Sequence, residues 1–340
     1  MWLLSWRDLQ YRRRRFAIAV AATGLVFAIA LLLSGVSSSF TTEIDRTVAA
    51  FTADRWIIPD SAKGPFSNAK AFSPNEVVDS VKGAKQVDAM VMNRVVFRSR
   101  DVVVFGTEIG GIGPRATTGR DVRRSGEAVV DASLGKAVGD DLTLGGTRFR
   151  VVGTTTGRTI FAGSPTAVIS IDDARAIGFA SQPLATSLLV RGVPHEVPTG
   201  YRTITNATAI DDLARPLQQA TGTINFLRVL LWLIAVGIIG SIVYLTVLEQ
   251  TRDFAVLKAT GVTGRSIFRG LVVEAVIVAV AAAAVATLLA LVIGPLMPLS
   301  VEISTGTYVA LPVIAALAGV MSSLVGLRRA LGVDPALAFG

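Results

Sequence analysis

Four runs free of charged side chains organise the chain: Phe16–Val36, Val229–Leu248, Ala275–Ile293 and Ile303–Leu327. At the α-helical rise of about 1.5 Å per residue, each is long enough to cross about 30 Å of hydrocarbon. Between the first two runs lies a long, more polar segment, 37–225, in which the pattern changes to that of strands. From Glu127 onward it predicts strands at Ala128–Val130, Leu142–Leu144, Thr147–Val152 and Ala167–Ile171. Phe149 and Val151 alternate with Arg148 and Arg150, as expected of a strand with one wet face. Gly145-Gly146 supplies a two-residue hairpin turn. Ser133–Val138 and Asp172–Ile177 read as short helices, the second with Asp172 as its N-cap. Upstream, Pro74–Val81 reads as a helix, and the stretches around Ala89–Phe97 and Asp101–Phe105 as strands. Residues 37–50 continue the first apolar helix, and 206–228 lead helically into the second run, with Pro216 a candidate break. The predicted fold class is an integral membrane α-helical protein with four transmembrane helices, arranged one and then three, and an inserted α+β extracytoplasmic domain on two stalks.

Composition supports a membrane protein. Of 340 residues, 51% are hydrophobic and only 17% charged, against about a quarter in soluble domains. The net charge of +8 does not point to nucleic acid once it is divided by region. Segment 37–225 holds 21 Lys/Arg against 19 Asp/Glu, whereas 1–15, 249–270 and 328–340 together hold 11 Lys/Arg against four acids. Arg12, Arg13, Arg14 and Arg15 abut the first span with Arg7 upstream, and the positive-inside rule then holds the N-terminus in the cytosol. Four crossings place every short basic segment on that same side and 37–225 outside. A cleaved signal peptide is the competing reading of the first run, but its 21 residues exceed the roughly 7–15 of a signal-peptide core. Trp2, Trp6 and Leu9 fall on one face of a short amphipathic helix suited to the headgroup layer, the alternative being a frayed terminus.

Candidate chemistry is sparse. With no Cys, there are no disulfides and no thiolate nucleophile or zinc ligand, and the single His195, in a Pro-flanked loop, argues against a His-dependent triad. Gly135-Lys136 lacks the rest of a phosphate-binding loop, so no ATPase is expected in this chain. Gly111 and Gly113 lack the dinucleotide spacing and read as a flexible loop ahead of Pro114. Asp140-Asp141 and Asp172-Asp173 are adjacent pairs whose side chains diverge, so capping and solvation account for them better than a metal. No catalytic or metal residues emerge, and no cofactor bound by this chain is expected. Glu274 near the start of the third span has Arg269 or Arg265 as its candidate partner. No ladder of ionisable residues crosses the spans, so energy for any movement would come from a partner.

The loop Glu249-Gln-Thr-Arg-Asp-Phe-Ala-Val-Leu-Lys-Ala-Thr-Gly261, followed by a basic run to Glu274, resembles the FtsX/MacB-type ABC transporter permease family. The Arg-rich start, Gly126-Glu-Ala-Val-Val, Val138-Gly-Asp-Asp-Leu-Thr-Leu-Gly-Gly, Phe149-Arg-Val-Val-Gly and the closing Arg329-Ala-Leu-Gly-Val-Asp-Pro335 are similar to its landmarks. Phe51-Thr-Ala-Asp-Arg-Trp-Ile-Ile-Pro59 is similar to the heterocyst-glycolipid-exporter subgroup. The resemblance implies a non-catalytic permease subunit served by a separate cytosolic ATPase, which would hold ATP and Mg, and a second permease copy, with export or extraction of a lipophilic or peptide substrate. The alternative it implies is a mechanotransmission scaffold that regulates an extracytoplasmic protein without transport. Phe254, Leu257 and Lys258 fall on one helical face that Gly261 can end, ringed by Arg252, Asp253 and Arg265. The residues alone leave docking to a soluble partner and packing on the membrane equally open; the resemblance favours docking to the ATPase. The expected boundaries are a cytosolic N-terminus at 1–15, spans at 16–36, 226–248, 271–293 and 303–327, a stalked domain at 37–225, a coupling loop at 249–270, an outer turn at 294–302 and a cytosolic tail at 328–340.

Overall fold

The computed structural model describes residues 13–251, 255–256, 260–297 and 303–331. The amphipathic segment expected at 1–11 lies outside the described residues. The chain divides into two compact units, one formed by residues up to Ser39 together with those from Ala220 onward, the other by Phe40–Gln219.

The second unit is built on an 11-stranded mixed sheet in the order β11-β1-β10-β2-β3-β9-β5-β7-β4, with β6 on β7 and the short β8 on β9. Its strands are β1 (Arg55–Pro59), β2 (Gln86–Phe97), β3 (Arg100–Thr107), β4 (Thr118–Gly119), β5 (Glu127–Asp131) and β6 (Asp141–Leu144). They continue with β7 (Thr147–Thr155), β8 (Thr159–Ile160), β9 (Ser164–Ser170), β10 (Ser187–Arg191) and β11 (Tyr201–Thr205). The pairs β3–β9 and β5–β7 are parallel and the others antiparallel. Alternate residues of the inner strands feed two cores. Ile57, Val102, Val104, Leu188 and Val190 point to one. Trp56, Ile58, Val103, Phe105 and Leu189 point to the other. Strands buried on both faces need no polar positions, which is why these read as continuous apolar runs.

Helices cover both faces. The first core takes Val77 from α2 (Asn75–Ser80) and Ile171 and Ala174 from α3 (Ile171–Phe179). The second takes Ile44 and Val48 from the end of α1 (Arg13–Ala50), Phe51 from the turn just after it, and Ala209 and Leu213 from α4 (Asn206–Ala214). Phe51 stands edge-on to Trp56 and to Phe105, with ring centroids 5.1 and 5.0 Å apart. The buried Trp56 Nε1 donates to Asn206 Oδ1 at 2.8 Å, and Asn206 Nδ2 donates to the Ala53 carbonyl at 2.9 Å. One aromatic cluster thus binds the end of α1, two strands and the start of α4.

Three local expectations need correction. Ser133–Val138 is not a helix: one 3-10 turn, Ala132–Leu134, ends where Gly135 turns left-handed at φ 65°. The N-cap of α3 is Ser170, whose Oγ accepts the Asp173 N–H at 3.2 Å, while Asp172 is already inside the first turn. The segment before Pro114 is anchored, because Ile112 is fully buried and its N–H donates to the Asp88 carboxylate, while the Gly111 carbonyl accepts from Arg115.

Among the described residues, the first unit holds four helices long and apolar enough to cross a membrane. They are the N-terminal part of α1, then α5 (Gln218–Glu249), α6 (Gly264–Ile293) and α7 (Thr305–Leu331). Small residues let them approach. Ala275, Ala279, Ala282, Ala283, Ala286 and Ala290 form a buried stripe along α6, the pattern by which helices pack where apolar burial alone gives no preference. A Cβ on Gly319 would lie 2.9 Å from the Ala275 carbonyl oxygen, so α7 meets α6 backbone to backbone. Phe27 packs on Trp232 with centroids 5.0 Å apart, and Ser322 Oγ of α7 donates to the Val236 carbonyl of α5 at 2.9 Å.

Candidate coupling site

The expected docking segment follows α5. Gln250 continues the α-helical pattern by donating to the Thr246 carbonyl, and Thr251 Oγ1 donates back to Val247 and Leu248. Arg252, Asp253, Phe254, Leu257 and Lys258 lie outside the described residues. Ala255 and Val256 between them are helical, the first buried and the second 47% exposed. Thr260 N–H donates to the Val256 carbonyl, and Gly261 takes φ 91°, a left-handed conformation that costs a glycine little. Thr263 then opens α6.

Arg265 and Arg269 are exposed on α6, whereas Glu274 is buried. Five residues on a helix separate side chains by roughly 140°, which turns Arg269 to the exposed side. Of the basic cluster, Arg13, Arg14 and Arg15 form the first turn of α1, with Arg14 exposed, and Arg12 lies outside the described residues.

The acidic pairs of the α+β unit are held by protein groups. Asp140 accepts the Ala137 N–H, Asp141 pairs with Arg148 at 2.7 Å and Asp172 with Arg175 at 3.3 Å. Asp173 is buried and accepts from Ser125, Gly126 and Ser170. No metal-holding group of acids and His occurs among the described residues. His195 is exposed, its N–H donating to the Lys82 carbonyl. An open cleft of about 640 Å³ includes Asp79, Asp88, Glu108 and Arg175 in its lining.

Three carboxylates carry structural weight that the sequence pattern did not mark. Glu127, 3% exposed, takes both terminal nitrogens of Arg120 at 2.6 and 2.7 Å, Arg124 Nε at 2.9 Å and the Arg123 N–H at 3.0 Å. The Arg120 hydrogen bonds, aided by Arg123 and Arg124, outweigh burial and lower its pKa from 4.5 to about 2. Glu43 on α1 and Asp212 on α4 are also buried, and each accepts from two successive backbone N–H groups of a neighbouring loop. Their only trace in the sequence is an acid on a helical stretch that would otherwise continue apolar packing.

Residues 16–215 match the family described as the MacB-like periplasmic core domain, and 225–335 the one described as the FtsX-like permease C-terminal. A Mycobacterium bovis protein named "Uncharacterized ABC transporter permease" is 39% identical over 347 residues, covering 100% of this chain and 99% of its own. Another of the same description from Mycobacterium tuberculosis is 37% identical over 350 residues, with 100% and 99% coverage. A Staphylococcus haemolyticus protein named for a hemin transport system permease is 17% identical across 99% of both chains. With its α+β unit, its apolar helices and its full length matched in this way, the chain belongs to the FtsX/MacB-type family of ABC transporter permeases, which are membrane proteins.

Proposed function

We propose that this permease couples ATP hydrolysis by a separate cytosolic ATPase to movement of its α+β domain. That domain stands outside the membrane, after one crossing and before three, with both termini in the cytosol and the boundaries set out above. The observation that carries the reading is the continuity of α1. One helix from Arg13 to Ala50 gives Phe27 and Leu31 to the core of the helical unit and Ile44 and Val48 to that of the α+β unit. Residues 249–266 dock the ATPase, with Phe254 and Leu257 as the apolar anchor and Arg252, Asp253 and Lys258 around it. ATP and Mg reside on that partner. Two permease copies work together, each with one ATPase, and the cargo is a lipophilic or peptide substrate moved outward; the amphiphilic cargo in the name of the hemin-system relative is in keeping with this class.

The test is affinity purification of the tagged chain from its native host after mild crosslinking. A stoichiometric ATPase is expected with the wild-type chain. The double substitution Leu257→Asp, Lys258→Asp is expected to lower its recovery at least tenfold, as loss of about 1.4 kcal/mol or more of binding would. Wild-type recovery with the double variant would overturn the docking assignment. An outer protein retained in equal amount, without transport of any cargo, would favour the mechanotransmission scaffold.

A further inference from the structure

Glu43 and Asp212 solve the same problem at the two ends of the α+β domain. Glu43 Oε2 and Oε1 accept the N–H groups of Ala162 and Gly163 at 3.1 and 2.9 Å. The loop that offers them is contorted, with Phe161, Ala162 and Gly163 left-handed at φ 54°, 66° and 99°. Such a run turns successive N–H groups toward one anion. One turn further along α1, Thr47 Oγ1 donates to the Thr159 carbonyl at 3.2 Å, and the Arg94 guanidinium lies 4.1 Å over the Phe161 ring. The loop joins β8 to β9, and β9 sits in mid-sheet between β3 and β5. Asp212 Oδ2 accepts the N–H groups of Phe66 and Ser67 at 2.8 and 3.0 Å, and the Ser67 hydroxyl donates to its other oxygen.

The two arms differ in continuity. α1 is unbroken through Glu43, whereas the 3-10 turn Arg215–Leu217, with Pro216 lacking an N–H, separates α4 from α5. A carboxylate between two N–H groups resists sliding along the helix axis, which an apolar contact does not, because displacement breaks charge-assisted bonds in a buried place. Around these carboxylates α1 and α4 cover the second core with apolar side chains such as Ile44, Val48 and Leu213, beside the Thr47–Thr159 and Trp56–Asn206 hydrogen bonds.

We propose that Glu43 is a force-bearing latch: a positioning residue that fixes the unbroken arm to the central strands, so that displacement along α1 is delivered to β9. Asp212 secures the articulated arm and serves mainly the domain's own stability. This role rests on the ATP-driven reading above.

The experiment uses the full chain in nanodiscs with the ATPase that co-purifies with it. Because this chain has no Cys, spin labels at Val138→Cys and Arg269→Cys, both exposed and outside the docking segment 249–266, attach at those two positions alone in it. Amide exchange reads the latch itself. Glu43→Ala is expected to speed exchange at residues 162–163 about tenfold or more while strands β2 and β3 keep their protection. It is expected to retain the ATPase and its hydrolysis, yet lose most of the ATP-dependent change in label distance. Glu43→Gln, which keeps one acceptor oxygen, is expected to restore part of both, and it serves if the alanine variant does not fold. Wild-type exchange at 162–163, or an undiminished distance change in both variants, would overturn the latch. If no ATPase accompanies the wild-type chain, the ATP-driven reading falls and the force-bearing role with it, whatever the exchange data show.

Discussion

Glu127 is the residue whose electrostatics are most sharply defined. Its folded pKa, lowered from 4.5 to about 2, means that the ionised form is held by the fold. The stability it contributes is complete above pH 4.5 and is lost as pH falls through 2. Acid titration of the unfolding midpoint should therefore fall more steeply for the wild-type protein than for Glu127→Gln across that window. At pH 7 the same variant should cost about 2 kcal/mol in urea unfolding, the scale of a charge-assisted hydrogen bond lost at a buried site. Asn206→Ala should cost about 1–3 kcal/mol by the same measurement, since it leaves the Trp56 indole N–H and the Ala53 carbonyl without their partner.

Among the elements, the α6–α7 contact depends on the absence of a side chain at Gly319. Gly319→Val should push the helices apart and lower the thermal midpoint in detergent by several degrees, while Gly237→Val, at a place with no neighbour within 4 Å, should change it little. How much the sequence disclosed follows the geometry of burial. The apolar helices were legible because lipid-facing and buried sides are both apolar, leaving long uncharged runs. Strands β6 and β7 were legible because they alternate, as in Leu142, Leu144 and Phe149 against Thr143 and Arg148. Strands β1 and β10 went unread because Trp56-Ile57-Ile58 and Leu188-Leu189-Val190 are buried on both faces and show no period. Ala132-Ser133-Leu134 carries helix-forming side chains, but Gly135 stops it after one turn. Glu43 and Asp212 were not legible, because each is defined by loops more than 100 positions away in sequence.

At the scale of the molecule, the two family matches leave residues 216–224 between them, and that gap begins at the proline-containing turn where α4 gives way to α5. The proposed topology makes a direct prediction. In intact spheroplasts an impermeant maleimide should label Val138→Cys at once and Arg265→Cys only after permeabilisation; the reverse order would invert the assignment of sides. The unbroken length of α1 also makes the chain sensitive to rotation. A helix is a screw, and one extra residue between Val36 and Phe40 would turn everything beyond it by about 100° and advance it about 1.5 Å. Glu43, Thr47 and the loop they hold would turn together with the rest of Phe40–Gln219, so the latch would stay closed while the arm reached it from a new bearing. Seven extra residues add two turns less about 20°, and would return that whole segment nearly to its original bearing on a longer arm. Insertions of one and of seven residues should therefore rank opposite to their size in the harm they do to the ATP-dependent change in label distance, with amide protection at Ala162 and Gly163 kept in both.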